Sequence, residues 1–97
     1  MAAVVYSGVA LAQLRGELQR LRDERPELAV QASTAIRSAV DALAVHPLLG
    51  RRAHGELREL IISCGRTGYV ALYRFLVQRD EVRMLSLRSQ RDVGLVP

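Results

Sequence analysis

The chain has 97 residues, a formal net charge of +4, 49% hydrophobic residues and 25% charged residues. This composition is typical of one globular domain with one modest core, and it excludes a disordered tail. No apolar run approaches the roughly 20 residues that a membrane span needs, and the first residues lack the basic and then apolar order of a secretory signal.

Cys64 is the only cysteine, which excludes an internal disulfide and fits a reducing cytoplasm. We therefore expect a cytoplasmic protein with no membrane attachment. His46 and His54 do not form a metal site with one cysteine and no cluster spacing. We also expect no cofactor and no small-molecule substrate, because the sequence contains no motif for either.

The first half of the chain predicts a short strand and two helices. Residues 3–6 are β-prone and are followed by Ser7 and Gly8, which end a strand. A stripe of leucines then recurs at spacings of three and four, at Leu11, Leu14, Leu18 and Leu21. Pro26 suits the first turn of a second helix, which must end before Pro47. The pattern predicts a helical hairpin over residues 9–45, with apolar surface left over for a sheet.

The second half predicts three strands. Residues 46–55 contain the breakers Pro47, Gly50 and Gly55 and are interpreted as a connector. Strand-like segments follow at residues 57–64, 69–77 and 82–87, and two short turns separate them. Short connections between consecutive strands indicate an antiparallel meander. The predicted class is α+β, a single domain over residues 1–97 with an N-terminal strand and a helical hairpin packed on a small antiparallel sheet.

Arginine is concentrated in this second half. Between His46 and Pro97 there are nine arginines and five acidic residues, and the difference equals the whole net charge. The chain has no lysine, so every side-chain cation with a fixed charge is a guanidinium. Arginine binds phosphate and carboxylate in a bidentate manner and stays charged at any working pH. An excess of guanidinium groups on a small sheet suits a polyanion or an acidic protein partner.

Four blocks in this order resemble the RelE/ParE superfamily of type II toxin–antitoxin toxins. They are His46-Pro47-Leu48-Leu49-Gly50-Arg51, Leu57-Arg58-Glu59-Leu60, Gly68-Tyr69-Val70-Ala71-Leu72-Tyr73-Arg74 and Leu87-Arg88-Ser89-Gln90-Arg91-Asp92. The resemblance covers nearly the whole chain and implies the same fold as the residue patterns. It also implies a small bacterial toxin that is neutralised by a cognate antitoxin.

The resemblance implies two possible activities. ParE-like members bind DNA gyrase and block replication, whereas RelE-like members cut mRNA in the ribosome. Metal-free RNA cleavage needs groups that move protons as well as groups that stabilise phosphate charge. Val70, Ser89 and Leu95 stand where many RelE-type relatives have arginine, histidine and tyrosine. Arginine is a poor general base because it hardly ever releases its proton.

The leading hypothesis is therefore a gyrase-binding toxin, and the alternative is a ribosome-dependent mRNA endoribonuclease. A weaker third interpretation is a degenerate toxin that serves mainly as an antitoxin partner. The catalytic residues, if there are any, cannot be named from the sequence; only His46, His54, Tyr69, Tyr73 and the acidic residues could move a proton.

The residues most favoured for target binding are Arg88 and Arg91, which follow a predicted strand. Arg51, Arg52 and Arg58 are the next candidates. Each candidate also has a structural interpretation. Arg58 could pair with an acidic residue across the sheet, Arg51 and Arg52 could lie in a solvated turn, and the two late tyrosines share a strand face that could pack on the helices.

Overall fold

A computed structural model of the chain describes residues 1–65 and 67–90. In chain order, these residues form β1 (Ala3–Tyr6), α1 (Gly8–Glu24), α2 (Pro26–Val45), β2 (Arg51–His54), β3 (Leu57–Cys64), β4 (Thr67–Leu76), one 3-10 turn (Val77–Arg79) and β5 (Glu81–Ser89). The predicted strand, hairpin and meander are confirmed. The predicted connector was wrong in part, because residues 51–54 form strand β2.

The five strands form one sheet in the order β1-β5-β4-β3-β2. Strands β2 to β5 pair in antiparallel fashion with their chain neighbours, and β1 pairs with β5 in parallel. A register shift between Leu72 and Tyr73 places an extra residue in β5, which is a β-bulge. Strands β1 and β2 are the two edges, and β5 lies second from one edge.

Local sequence signals set the ends of both helices. The Ser7 side chain accepts a 3.0 Å hydrogen bond from the Ala10 N–H and so caps α1. Arg25 is the single residue between the helices, and Pro26 begins α2 at the position where its missing N–H costs nothing. His46 ends α2 with its N–H bonded to the Ala42 carbonyl, so the helix ends before Pro47, as predicted.

Both helices pack on the same side of the sheet, α1 against β5 and α2 against β3. We call this side the helix-covered face and the other side the open face. The residues that fill the core alternate along β4, and along β5 as far as the bulge, which places Leu87 three positions after Met84 on the same face. They include Ala29, Ala32, Ile36 and Leu43 from α2, Tyr69, Ala71 and Tyr73 from β4, and Val82, Met84 and Leu87 from β5.

Helix α2 is strongly apolar for its length. It has 20 residues and a mean hydropathy of 1.2 over its most apolar stretch, so by length and composition alone it could span a membrane. Its buried residues lie on one stripe against the sheet, however, while Arg37 and Asp41 are exposed on the other side. This pattern is typical of an amphipathic helix that covers a core.

Candidate functional site

The open face carries arginines from three strands. Arg74 on β4 lies directly opposite Arg83 on β5, and Arg88 lies opposite Val70. Arg51 on β2 lies opposite Glu59 on β3. Directly opposed residues share a face of the sheet, and neighbours along a strand point to opposite faces. Because the neighbours Tyr73, Val82 and Leu87 are buried under the helices, these four arginines project from the side that the helices leave uncovered.

Three of these arginines form ion pairs with glutamates. The closest approaches are 3.1 Å between Arg51 Nη2 and Glu59 Oε1, 2.9 Å between Arg74 Nη2 and Glu56 Oε2, and 2.7 Å between Arg83 Nη2 and Glu81 Oε2. Like charges directly opposite each other destabilise a sheet, so the glutamates offset the Arg74–Arg83 repulsion. Each arginine side chain is still at least 41% exposed, and exposed pairs of this kind contribute only about 0–1 kcal/mol. Each of these guanidinium groups can therefore release its glutamate and bind a carboxylate of a partner protein instead.

The structure separates the arginines that the sequence analysis grouped. Arg51 and Arg88 share the open face. Arg52 lies opposite Arg58 in the β2–β3 register, on the other side of the sheet. Arg91 lies outside the described residues, so its place next to Arg88 stays a prediction. Arg74 and Arg83 were not among the predicted target-binding residues. Strand alternation could have found them, because they flank the inward-facing Tyr73 and Val82.

Arg58 differs from the other candidates because its guanidinium is directed towards the protein's own backbone. It is half-buried, and its Nη1 donates to the Gly50 carbonyl at 2.8 Å and to the Leu48 carbonyl at 3.4 Å. The expected pairing with an acid across the sheet is not the arrangement found. In this arrangement Arg58 supports the connector, and its contribution to target binding stays a prediction.

A cleft of about 540 Å³ lies between α1 and the ends of β4 and β5. It is lined by Gln13, Gly16, Glu17, Arg20, Tyr69, Leu87, Arg88 and Ser89. The Tyr69 hydroxyl donates to Glu17 Oε2 at 2.9 Å, and Arg20 Nη2 binds the same oxygen at 2.9 Å. The Leu87 N–H donates to Gln13 Oε1 at 2.8 Å. These bonds fasten α1 to the sheet, so this cleft is a joint between the two layers.

Both tyrosines of β4 are buried on the helix-covered face, as the sequence analysis anticipated. Burial raises the pKa of Tyr69, and the hydrogen bond to the Glu17 carboxylate raises it further. Burial likewise raises the pKa of Tyr73. Both hydroxyls therefore keep their protons at neutral pH and have no access to the open face.

Within residues 1–65 and 67–90, no three His, Cys, Asp or Glu side chains are grouped so that they could hold a metal ion. Cys64 is half-buried at the end of β3. His54 is exposed on the edge strand β2, opposite Leu57.

A helical hairpin on one face of a small sheet is a fold that also occurs in solved structures of toxin–antitoxin systems. The chain is similar in structure to the chromosomal ParDE TA system from P. aeruginosa, with a TM-score of 0.67 and 21% identity over 91% of this chain and 95% of that chain. It is also similar to the intact E. coli RelBE toxin–antitoxin complex, with a TM-score of 0.64 and 12% identity over the same shares of the two chains.

Sequence comparison identifies the family. Residues 4–94 match the model of the ParE toxin of the type II toxin–antitoxin system parDE. A relative named Toxin RelE3 from Caulobacter vibrioides is 41% identical over 82 residues, which are 80% of this chain and 87% of that protein. The chain belongs to the ParE toxin family, within the RelE/ParE superfamily, and is a toxin of a type II toxin–antitoxin system.

Proposed function

We propose that this toxin inhibits bacterial growth in the cytoplasm by binding DNA gyrase through its open face, and that a cognate antitoxin neutralises it. The observation that carries the proposal is the set of four arginines on that face. Three strands hold the four arginines on a rigid support, and the ion pairs of Arg51, Arg74 and Arg83 are weak enough to be replaced. An acidic surface on a target protein would supply the replacing carboxylates.

The chemistry of the same face favours binding over catalysis. In the ribonuclease alternative, groups on the open face would have to remove and supply protons. The tyrosines of β4 face the helices instead, and the buried Val70 occupies the position opposite Arg88. Arginine supplies charge and hydrogen-bond donors without proton exchange. The described part of this face is therefore equipped as a docking surface.

The antitoxin proposal is supported by exposed apolar side chains on the helices. Val9 on α1 is 62% exposed and Val30 on α2 is 69% exposed. An amphipathic segment of a partner could cover such a surface. The structural relatives are toxin–antitoxin complexes, which supports an antitoxin partner for this chain as well.

The test is the double variant Arg88→Ala with Arg91→Ala, compared with Arg15→Ala with Arg37→Ala on the exposed sides of the helices. Surface substitutions usually change stability by about 0.5 kcal/mol or less, whereas a lost charged contact with a partner costs about 2–5 kcal/mol of binding. We expect the first variant to lose inhibition of purified gyrase and colony killing on induction, while the helix variant keeps both. If both variants inhibit gyrase as the unchanged toxin does, the target-binding surface is elsewhere.

The alternative, a ribosome-dependent mRNA endoribonuclease, keeps one observation in its favour. His54 is an exposed titratable group on the same edge strand as Arg51 and Arg52. We expect no cleavage of mRNA on programmed ribosomes by the purified toxin. Site-specific cuts that His54→Gln abolishes would replace the gyrase proposal with the nuclease one.

A further inference from the structure

We propose that Tyr73 and Arg58 are positioning residues that hold the connector before β2, and thereby present Arg51 on the open face. We call the contacts of these two side chains with residues 48–50 the latch. The inference deepens the proposed function and rests on it, because it assigns the support of one arginine of the proposed target surface. Neither latch side chain is expected to touch the target.

The first half of the latch is the Tyr73 hydroxyl. Tyr73 is fully buried, and its hydroxyl oxygen accepts a 2.8 Å hydrogen bond from the Gly50 N–H. The approach is close enough that Gly50 has no room for a side chain. A Cβ on Gly50 would lie 2.6 Å from the Glu59 carbonyl oxygen and 2.7 Å from Tyr73 Cε1. Residue 50 is thus pressed between β3 and the tyrosine ring.

The second half of the latch is the Arg58 guanidinium. Arg58 lies directly opposite Tyr73 in the β3–β4 register, so both side chains reach the connector from the same side. The tyrosine hydroxyl accepts a hydrogen bond from the Gly50 N–H. Arg58 Nη1 donates to the carbonyl oxygen of Gly50 and to the carbonyl oxygen of Leu48. Both the N–H and the carbonyl of Gly50 are thereby hydrogen-bonded to side chains of strands β3 and β4.

The latch matters because β2 has little else to hold it. The strand has four residues, all exposed, and within the described residues it pairs with β3 alone. Its register with β3 shifts between Arg52 and His54, which interrupts the ladder further. Arg51, the first residue of β2, directly follows Gly50. A connector fixed at Gly50 therefore sets where Arg51 begins and on which face it projects.

Three of the four sequence blocks contribute to this arrangement. The first block supplies the pinned connector, the second supplies Arg58, and the third supplies Tyr73. The three blocks meet at one point in space, where they build an edge strand.

Two measurements test the proposal. The first is amide hydrogen exchange of the purified toxin, which compares Tyr73→Phe with Tyr69→Phe. The control removes a hydroxyl from the same strand and the same face, but one that binds Glu17 instead of the connector. We expect Tyr73→Phe to accelerate exchange of the residue 50–54 amides about tenfold relative to the control, because a buried N–H has lost its acceptor.

The second measurement is a double-mutant cycle between Tyr73→Phe and Arg51→Ala. The readout is the inducer concentration that halves growth. If the latch acts through Arg51, Tyr73→Phe should raise that concentration about fivefold in the unchanged background and less than about twofold beside Arg51→Ala. A second cycle with Arg88→Ala, on a different strand, should be additive.

The outcomes are distinguishable. Unchanged exchange of residues 50–54 in Tyr73→Phe would overturn the latch. An equal loss of toxicity in both Arg51 backgrounds would overturn the positioning role, because the tyrosine would then act through overall stability or through a contact of its own. If Arg51→Ala alone keeps full toxicity, the proposed target surface fails at Arg51, and the exchange measurement still decides whether the latch exists.

Discussion

The hydrogen bond between Tyr69 and Glu17 joins α1 to the sheet, and its removal should have a measurable cost. A hydrogen bond to a charged group contributes about 1.5–3 kcal/mol. After the Tyr69→Phe substitution, the Glu17 carboxylate would keep its ion pair with Arg20. The Glu17 side chain is also 18% exposed, so water could replace the lost hydroxyl as a hydrogen-bond donor. Tyr69→Phe should therefore lower the free energy of unfolding by about 1–2 kcal/mol at pH 7, which corresponds to a fall in Tm of about 4–16 °C.

The same bond makes a prediction for alkaline pH. The folded-state pKa of Tyr69 is raised above its ordinary value of 10.0. Below pH 10 the residue is protonated in both states, and its contribution to stability is complete. As the pH rises above 10, the unfolded chain loses this proton before the folded protein does, so stability falls. Tyr69→Phe should make that decline shallower.

The assay is urea denaturation of the purified toxin at pH 7 and at pH 10.5, followed by circular dichroism. Glu17→Gln is the matched variant, because it keeps an acceptor for the tyrosine and removes the charge. If Tyr69→Phe changes the free energy of unfolding by less than about 0.3 kcal/mol at pH 7, well below the usual worth of such a bond, the bond does not secure α1. An unaltered decline above pH 10 would contradict the raised pKa.

Three further predictions concern single positions. Gly50→Ala should lower the free energy of unfolding by about 1–3 kcal/mol because the added methyl group overlaps the Glu59 backbone. Gly16→Ala should raise the free energy of unfolding by about 0.5–1 kcal/mol, because this helical glycine has open space around it. The same denaturation assay measures both variants. If both substitutions raise the free energy of unfolding, or both lower it, the difference in space around the two glycines is contradicted. Val30→Asp should leave stability within about 0.5 kcal/mol but weaken antitoxin binding measured by calorimetry; unchanged affinity would move the antitoxin interface away from α2.

Much of the fold could be predicted because its signals are local. The leucine spacing of α1, Pro26 at the start of α2 and Pro47 beyond its end are decided within a few residues. Strand β2 could not be found this way. Its residues, Arg51 to His54, lack the alternation and the branched side chains of a strand, and all are exposed. They are extended because β3 and the latch hold them, which is a tertiary effect that overrides propensity.

The site was harder to predict than the fold, for reasons that differ between residues. Alternation alone could have placed Arg74 on the open face, since its neighbour Tyr73 faces inward. The role of Arg58 depends on the path of a connector 8 residues away, and no local pattern records such a path. That Arg51 and Arg88 share a face depends on the register of three strand pairs, which sequence spacing does not determine.

The parallel pairing of β1 with β5 has a consequence for when the toxin becomes active during its synthesis. The Ser7 hydroxyl at the end of β1 bonds the Leu85 carbonyl of β5, a contact that spans 78 residues of chain. β5 is made after every other described element, yet it lies between β1 and β4 and supports α1. In a nascent chain that has not reached β5, strand β1 therefore cannot join the rest of the sheet. Arg83 and Arg88 have also not yet been synthesised. A message broken upstream of this strand would direct the synthesis of a fragment that lacks β5 and two of the four arginines of the open face.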